Sequence, residues 1–324
     1  VLALRSTTVT AADGAWLETE LGRAWSDPAL HPPARAGDVV VVNVQARELG
    51  LGSGGYDLVV ANLTRGLDGD GRGEAHVMKL NYTPLQHAVE PVDGTVDGGS
   101  GAVGVISLHG QLAPLAWAFA QAAGGRLGYV QTAGGALPGG LSRTAAQLRE
   151  RGWLTAHVTA GAAYGGADGE AISTAGAIAA LLHGGGPAAL ARCDAVVCGP
   201  GPGILGSGTP LGHGGLVALD SAHAALALGW PTLLAARMSQ SDPRERHRGI
   251  SHHTRTVLDL LLAPVVVALP DGEPVPLGDR HDWRTASGDL AGFPWPLRSM
   301  GRDDRAFFAA AAAAGRTLAA IIAR

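Results

Sequence analysis

Lysine is almost missing from this chain: among 24 Lys and Arg residues, only Lys79 is a lysine. Those 24 are outnumbered by 28 acidic residues, giving a formal net charge of −4. That balance excludes nucleic acid as a general partner and confines any positive site to a local patch. Cysteine is scarce as well. Cys193 and Cys198 make neither a disulfide framework nor a zinc ligand set. Cys198, closing an apolar run, reads as a small buried core thiol. No stretch reaches the roughly 18 uninterrupted apolar residues of a membrane span. The nearest, 306–323, is broken by Arg316 and Thr317 and reads as a packed or oligomer-forming helix. No basic-then-apolar segment follows Val1, so the expectation is a cytoplasmic protein with no membrane partner.

What is present in excess is glycine, 49 residues in 324. At that density a GxGxxG pattern arises by chance about once, so the motif counts only in its structural context. The length itself favours two domains.

Residues 1–88 read as all-β. Runs at 5–10 and 16–21 flank Asp13-Gly14, a strong hairpin signal. Further β-prone runs at 39–42, 56–63 and 76–80 make five short strands separated by Gly, Asp and Pro, the pattern of a small barrel or sandwich. The Gly-rich stretch 50–57 reads as a tight turn. Pro and Gly between 84 and 101 place the domain junction there.

From 89 to 324 the rhythm becomes α/β. Strand-like runs at 103–108, 126–131, 154–159, 195–198, 232–237 and 265–269 alternate with helix-like segments at 112–123, 142–151, 170–183, 216–228 and 254–262. Strands that are apolar throughout fit burial on both faces. The expectation is a mainly parallel, Rossmann-like sheet covered by helices and preceded by the small barrel-like domain. Ligands of such sheets sit at the carboxyl ends of the strands. The loops gathered there are 109–111, 132–140, 160–169, 199–215 and 239–253, and the last two far exceed ordinary connection length.

The segment at 239–253 is the most distinctive. From Arg244 to Arg255, seven of twelve residues are Arg or His, where average composition gives about 1.3. Ser251 suits an N-cap, putting His252 and His253 in the first turn of a helix. Cations at a helix N-terminus are unfavourable unless an anion, or a metal among neutral imidazoles, occupies the space. Arg244 and Arg246 are the candidate anion clamp. In the 199–215 loop, Gly201, Gly203, Gly206 and Gly208 are candidate ligand contacts through a backbone anion nest, with Ser207, Thr209 and His213 as polar contacts. The GxGxxG at Gly201, Gly203 and Gly206 is interrupted by Pro202, its helix starts late, and the next strand offers no acidic residue, so NAD(P) is not expected. His109, ending the first strand of this domain, is a further candidate contact.

His213, His247, His252 and His253 are the candidate general acid–base residues, since imidazole titrates near neutral pH. Three of these with Asp242 would also suit a divalent metal such as zinc, manganese or iron, although no fixed-spacing metal motif is present. The other seven histidines stand alone and carry no functional expectation.

The chain also resembles a bacterial family known as the domain of unknown function 3866, found among actinobacteria and some clostridia. The resemblance rests on the run Gly-Leu-Gly-Ser-Gly-Gly-Tyr at 50–56 and on Met-Lys-Leu-Asn-Tyr-Thr-Pro-Leu-Gln at 78–86. It extends to the Gly-Pro-Gly…Gly-Ser-Gly-Thr…Gly-His loop at 199–213 and the Asp-Pro-Arg-Glu-Arg-His…Ser-His-His-Thr stretch at 242–254. It implies the domain plan and no activity. Three functions fit the sequence: an enzyme on a small anionic metabolite, a non-catalytic ligand sensor, or a homo-oligomeric structural protein whose Arg/His segment is an interface.

Overall fold

The computed structural model describes the chain except residues 52, 53, 68, 70–74, 97–99, 124, 186–188 and 324. Positions 52 and 53 of the Gly-rich stretch and 97–99 of the junction therefore lie outside the described residues. The chain divides into two compact units, Val1–Val89 and Glu90–Arg324.

The first unit holds a closed five-stranded barrel. Its strands are β1 (Leu4–Asp13), β2 (Trp16–Thr19), β3 (Gly22–Trp25), β4 (Val39–Asn43) and β5 (Asp57–Asn62), ordered β1-β2-β3-β5-β4. A single helical turn, α1 (Gln45–Glu48), follows β4. The expected hairpin turns at Gly14, whose φ of 57° is left-handed. Alternate residues Val9, Leu17, Ala24, Val40, Val42 and Val59 point inward and form the barrel core. The fifth strand is not the one the sequence suggests. β3, only four residues long and opening on Gly22, closes the barrel, whereas the run at 76–80 becomes β6 (Val77–Lys79) and pairs with β7 (His87–Val89) as a separate ribbon.

The second unit is an eight-stranded, all-parallel sheet. In chain order it comprises β8 (Ala102–Val105), α2 (Leu112–Ala123), β9 (Leu127–Thr132), α3 (Arg143–Glu150), β10 (Ala156–Ala160), β11 (Gly169–Ala171) and α4 (Thr174–His183). Then come β12 (Ala195–Pro200), α5 (Val217–Ala227), β13 (Thr232–Ala235), the small ribbon β14 (Met238–Ser239) with β15 (Gly249–Ile250), α6 (His252–Leu260), β16 (Val266–Pro270) and β17 (Asp282–Ala286). The hairpin β18 (Arg298–Ser299) and β19 (Arg302–Asp303) precedes the last helix, α7 (Arg305–Ile322). The strand order is β11-β10-β9-β12-β8-β13-β16-β17.

All six expected strands are present, and two more extend the edges. β11 has three residues and β17 carries Asp282 and Arg284 toward solvent, so neither shows the apolar run that marks an inner strand. Inner strands serve both faces. In β12, Ala195 and Val197 pack under α2, α3 and α7, while Val196 and Cys198 pack under α4, α5 and α6. Burial drives the Cys193 thiol up to about 12 and the Cys198 thiol higher still, as befits inert core groups. Helix α7 is long and apolar enough to cross a membrane, yet 67% of that apolar window is buried inside the protein. Phe307, Phe308 and Leu318 lie inside, each worth about 1.5–3 kcal/mol of burial, which accounts for its composition.

Three helices begin on a serine N-cap whose hydroxyl accepts a backbone N–H: Ser142 from Ala145, Ser173 from Gly176, and Ser251 from His253. β8 and β9 feed helices on one face, β12 and β13 helices on the other. The strand-end loops therefore diverge between β9 and β12 and between β8 and β13, where open α/β sheets place ligands. Gln111, fully buried, holds that edge in shape: its carbonyl accepts from Ser107 and Leu108, and its amide donates to Ala235 and Ala236.

Candidate functional site: a histidine and arginine pocket at the sheet edge

The two long loops meet. A cavity of about 380 Å³ at the carboxyl edge is lined from one side by Gly206, Gly208, Thr209 and His213, and from the other by Arg244, Arg246, His247, His252 and His253. Arg246 bridges them by donating to the Gly208 carbonyl at 3.0 Å. The 132–140 loop supports the arrangement through backbone contact: a Cβ on Gly214 would stand 1.8 Å from the Gly134 carbonyl oxygen, so only glycine fits there. Ser207 does not line the cavity and shapes its loop, its hydroxyl lying 3.3 Å from that of Thr209 and donating to the Gly212 carbonyl at 3.2 Å.

The four imidazoles form one cluster. His213 stacks on His253 with ring centres 3.7 Å apart, and His252 lies 4.4 Å from His253 and 4.7 Å from His247. Each is placed by its neighbours. Ser251 caps α6 and approaches His247 Nδ1 at 2.8 Å, so one hydroxyl joins the helix start to the preceding turn. His253 Nδ1 accepts from Arg237 at 2.7 Å.

Arg237 is the member that sequence patterns miss. It is 3% exposed, and its backbone is clamped by the Thr254 hydroxyl on its N–H and the Ser251 N–H on its carbonyl. It lies two residues past the end of β13 rather than in the Arg/His run. The available signal is an arginine following the apolar stretch 232–236, since a charge at the end of a buried strand is costly unless paired.

Asp242 is placed differently from its companions. At 1% exposed, its carboxylate receives Arg244 in a two-pronged bond at 3.0 and 2.9 Å, Arg302 at 3.0 Å and Arg237 at 3.8 Å. The hydrogen bonds from Arg244 hold it far below the usual carboxylate range despite burial. Asp242 thus anchors the loop and stands outside the imidazole cluster. Arg244 lines the cavity with its fork already engaged.

Electrostatics follow from this anchoring. Burial, then the guanidiniums of Arg237 and Arg244, hold His247 at about 3, and burial with Arg237 holds His253 at about 2. Burial foremost also lowers His213 and His252, helped by their cationic neighbours. The rings are neutral at pH 7, and the standing charge is that of the guanidiniums. His213, 9% exposed, brings neither ring nitrogen to bonding geometry among the described residues, although the Pro210 carbonyl faces it closely enough to favour the protonated ring. The Nε2 of His252 likewise makes no hydrogen bond among the described residues. Ring nitrogens of His247, His252 and His253 lie within 4.8 Å of one another, the spacing at which three imidazoles could hold a metal ion.

His109 belongs to a neighbouring cavity with Gly201 and Gly203. Its Nδ1 faces the Pro200 carbonyl at 3.2 Å and its Nε2 the Ser142 hydroxyl at 3.0 Å; burial lowers it to about 4. The structure therefore brings four of the five candidate histidines together and sets the fifth apart, its nitrogens engaged.

Neither a curated protein nor a solved structure matches the chain. A family model does match, over residues 23–315, and its description is "Protein of unknown function (DUF3866)". Spanning most of the chain, barrel strand β3 through helix α7, that match makes this chain a member of the DUF3866 family.

Proposed function

We propose that the protein is an enzyme acting on a small anionic metabolite, phosphorylated or carboxylated, bound between residues 204–213 and 237–253. One observation carries the reading: unpartnered nitrogens of neutral His213 and His252 share a cavity whose described lining holds three guanidiniums and no carboxylate. Such a cavity favours an anion and offers it a proton donor or acceptor. Arg246 and Arg237 supply charge, and the first N–H groups of α6 add to it. Arg244 contributes field rather than a free fork. His213 or His252 serves as general acid–base, and an arriving anion raises the affinity of both for a proton.

A metal-assisted variant has its own support in the three clustered rings of His247, His252 and His253. Against it stands the Arg237 bond. A ligating imidazole ordinarily donates its second N–H, whereas His253 Nδ1 receives one, which leaves the proton on Nε2. Anion binding is therefore the first reading.

The test begins with thermal unfolding in inorganic phosphate and carboxylates, followed by product analysis on phosphorylated and carboxylated metabolites. A ligand at 100 times its Kd stabilises by about 2.7 kcal/mol, readable as a rise of several degrees in Tm. His213→Asn with His252→Asn should keep that rise and lose turnover. A Tm rise with no product from any bound metabolite would make the protein a sensor instead. Stoichiometric metal in protein purified without chelators would move the assignment to the metal-assisted variant.

A further inference from the structure

Three of the four phenylalanines of the chain, Phe293, Phe307 and Phe308, line a single cavity of about 410 Å³ beside the histidine pocket. Trp295 completes an aromatic wall, with ring centres 5.4 Å from Phe293 and, behind it, 5.8 Å from Trp153. The planes of Phe293 and Trp295 cross at 62° and those of Phe307 and Phe308 at 77°, so the lining rings present both faces and edges, the geometry that receives another flat ring. The lining also includes Gly201 and Gly203, which carry no side chain to obstruct the space, and the ring of His109.

This cavity and the histidine pocket are neighbours by construction. Ile204 and Met300 line both. Met300 sits at the tip of the β18–β19 hairpin with a φ of 48°, a left-handed conformation that favours glycine, and it is 50% exposed. A large apolar side chain held there at conformational cost faces the boundary of both spaces. The same hairpin supplies Arg302 to Asp242, the anchor of the histidine loop. A single loop, 201–213, forms the floor of one cavity and the wall of the other.

We infer that the two cavities are one bipartite site, and that the ligand is an anion bearing a planar aromatic group. The anionic end enters among Arg237, Arg246 and the imidazoles. The ring lies against Phe293, Trp295 and Phe308, with Ile204 and Met300 at the join. The combined space falls in the range of small-molecule sites, and an apolar compartment with a few convergent polar groups is their usual make-up. This inference rests on the anion reading above and adds the class of the remaining part of the ligand.

The test is a pairwise calorimetric titration: methyl phosphate against phenyl phosphate, and acetate against benzoate, with inorganic phosphate as reference. The expected result is that the ring-bearing member of at least one pair binds tenfold or more tightly than its methyl partner. Trp295→Ala should remove that advantage and leave inorganic phosphate unchanged. Met300→Gly, at an exposed position whose backbone suits glycine, should reduce the advantage at least threefold and serves if Trp295→Ala fails to fold. If phosphate binds but ring-bearing and methyl anions bind alike, the aromatic cavity is not part of the site and the anion reading stands. If none of the five anions binds, both fall.

Discussion

His157 gives the most quantitative expectation. It is 3% exposed on β10, approaches the side-chain Oε1 of Gln131 with Nε2 at 3.2 Å, and stacks on Tyr129 with ring centres 5.2 Å apart. Burial first, then the neighbouring charge of His109 and Arg149, lowers it from 6.5 to about 3. A base whose folded pKa is lowered binds its proton better when unfolded. Its contribution to stability is therefore complete above pH 6.5 and drains away as pH falls toward 3. Each pKa unit is about 1.4 kcal/mol, so the full loss is about 5 kcal/mol, with about 2 kcal/mol gone by pH 5. Against a total stability of about 5–15 kcal/mol, that is a large part of acid sensitivity. His157→Phe keeps the stack and removes the titration. At pH 7.5 it costs about 1–3 kcal/mol, because Gln131 loses a hydrogen-bond donor. Between pH 7.5 and 5, urea unfolding of the variant should lose about 2 kcal/mol less than the natural protein. Equal losses in the two proteins would mean that His157 is not held neutral in the fold, and would refute the assignment.

Three further expectations concern the site's scaffold. Arg237→Met removes a buried cation and leaves His253 Nδ1 without its donor, so chemical unfolding should show a loss of about 2–3 kcal/mol, even with Arg244 and Arg302 still on Asp242; an unchanged midpoint would place Arg237 outside the network. Ser251→Ala removes the α6 cap at a cost of about 1 kcal/mol, read as a fall of about 2–4 °C in Tm; a smaller shift would mean that the cap does not hold the helix start. Gly214→Ala forces apart the loops that meet at Gly134 and should cost more than about 2 kcal/mol or prevent folding; normal expression and Tm would contradict that close approach.

Much of the architecture was readable without coordinates, because an inner parallel strand must be apolar on both sides and an alternating run of such strands and helices leaves few other layouts. What escaped were elements too short or too exposed to leave an apolar run: β11 with three residues and β17 with exposed positions at the sheet edges, and β3, whose four residues carry no β-branched side chain. At the site, local chemistry was legible. Ser251 as a cap, the histidines in the first turn of α6 and the exceptional Arg/His density all follow from neighbours along the chain.

Partnership was another matter. Sequence alone singled out the loops at 199–215 and 239–253; folding decided that they share a cavity, that Asp242 is consumed by arginines, and that His109 faces an aromatic space next door. The physical reason is that composition and spacing report which groups must be satisfied, whereas the partner that satisfies each one, often 60 or more residues away as Arg302 is from Asp242, is set by how the strand ends converge.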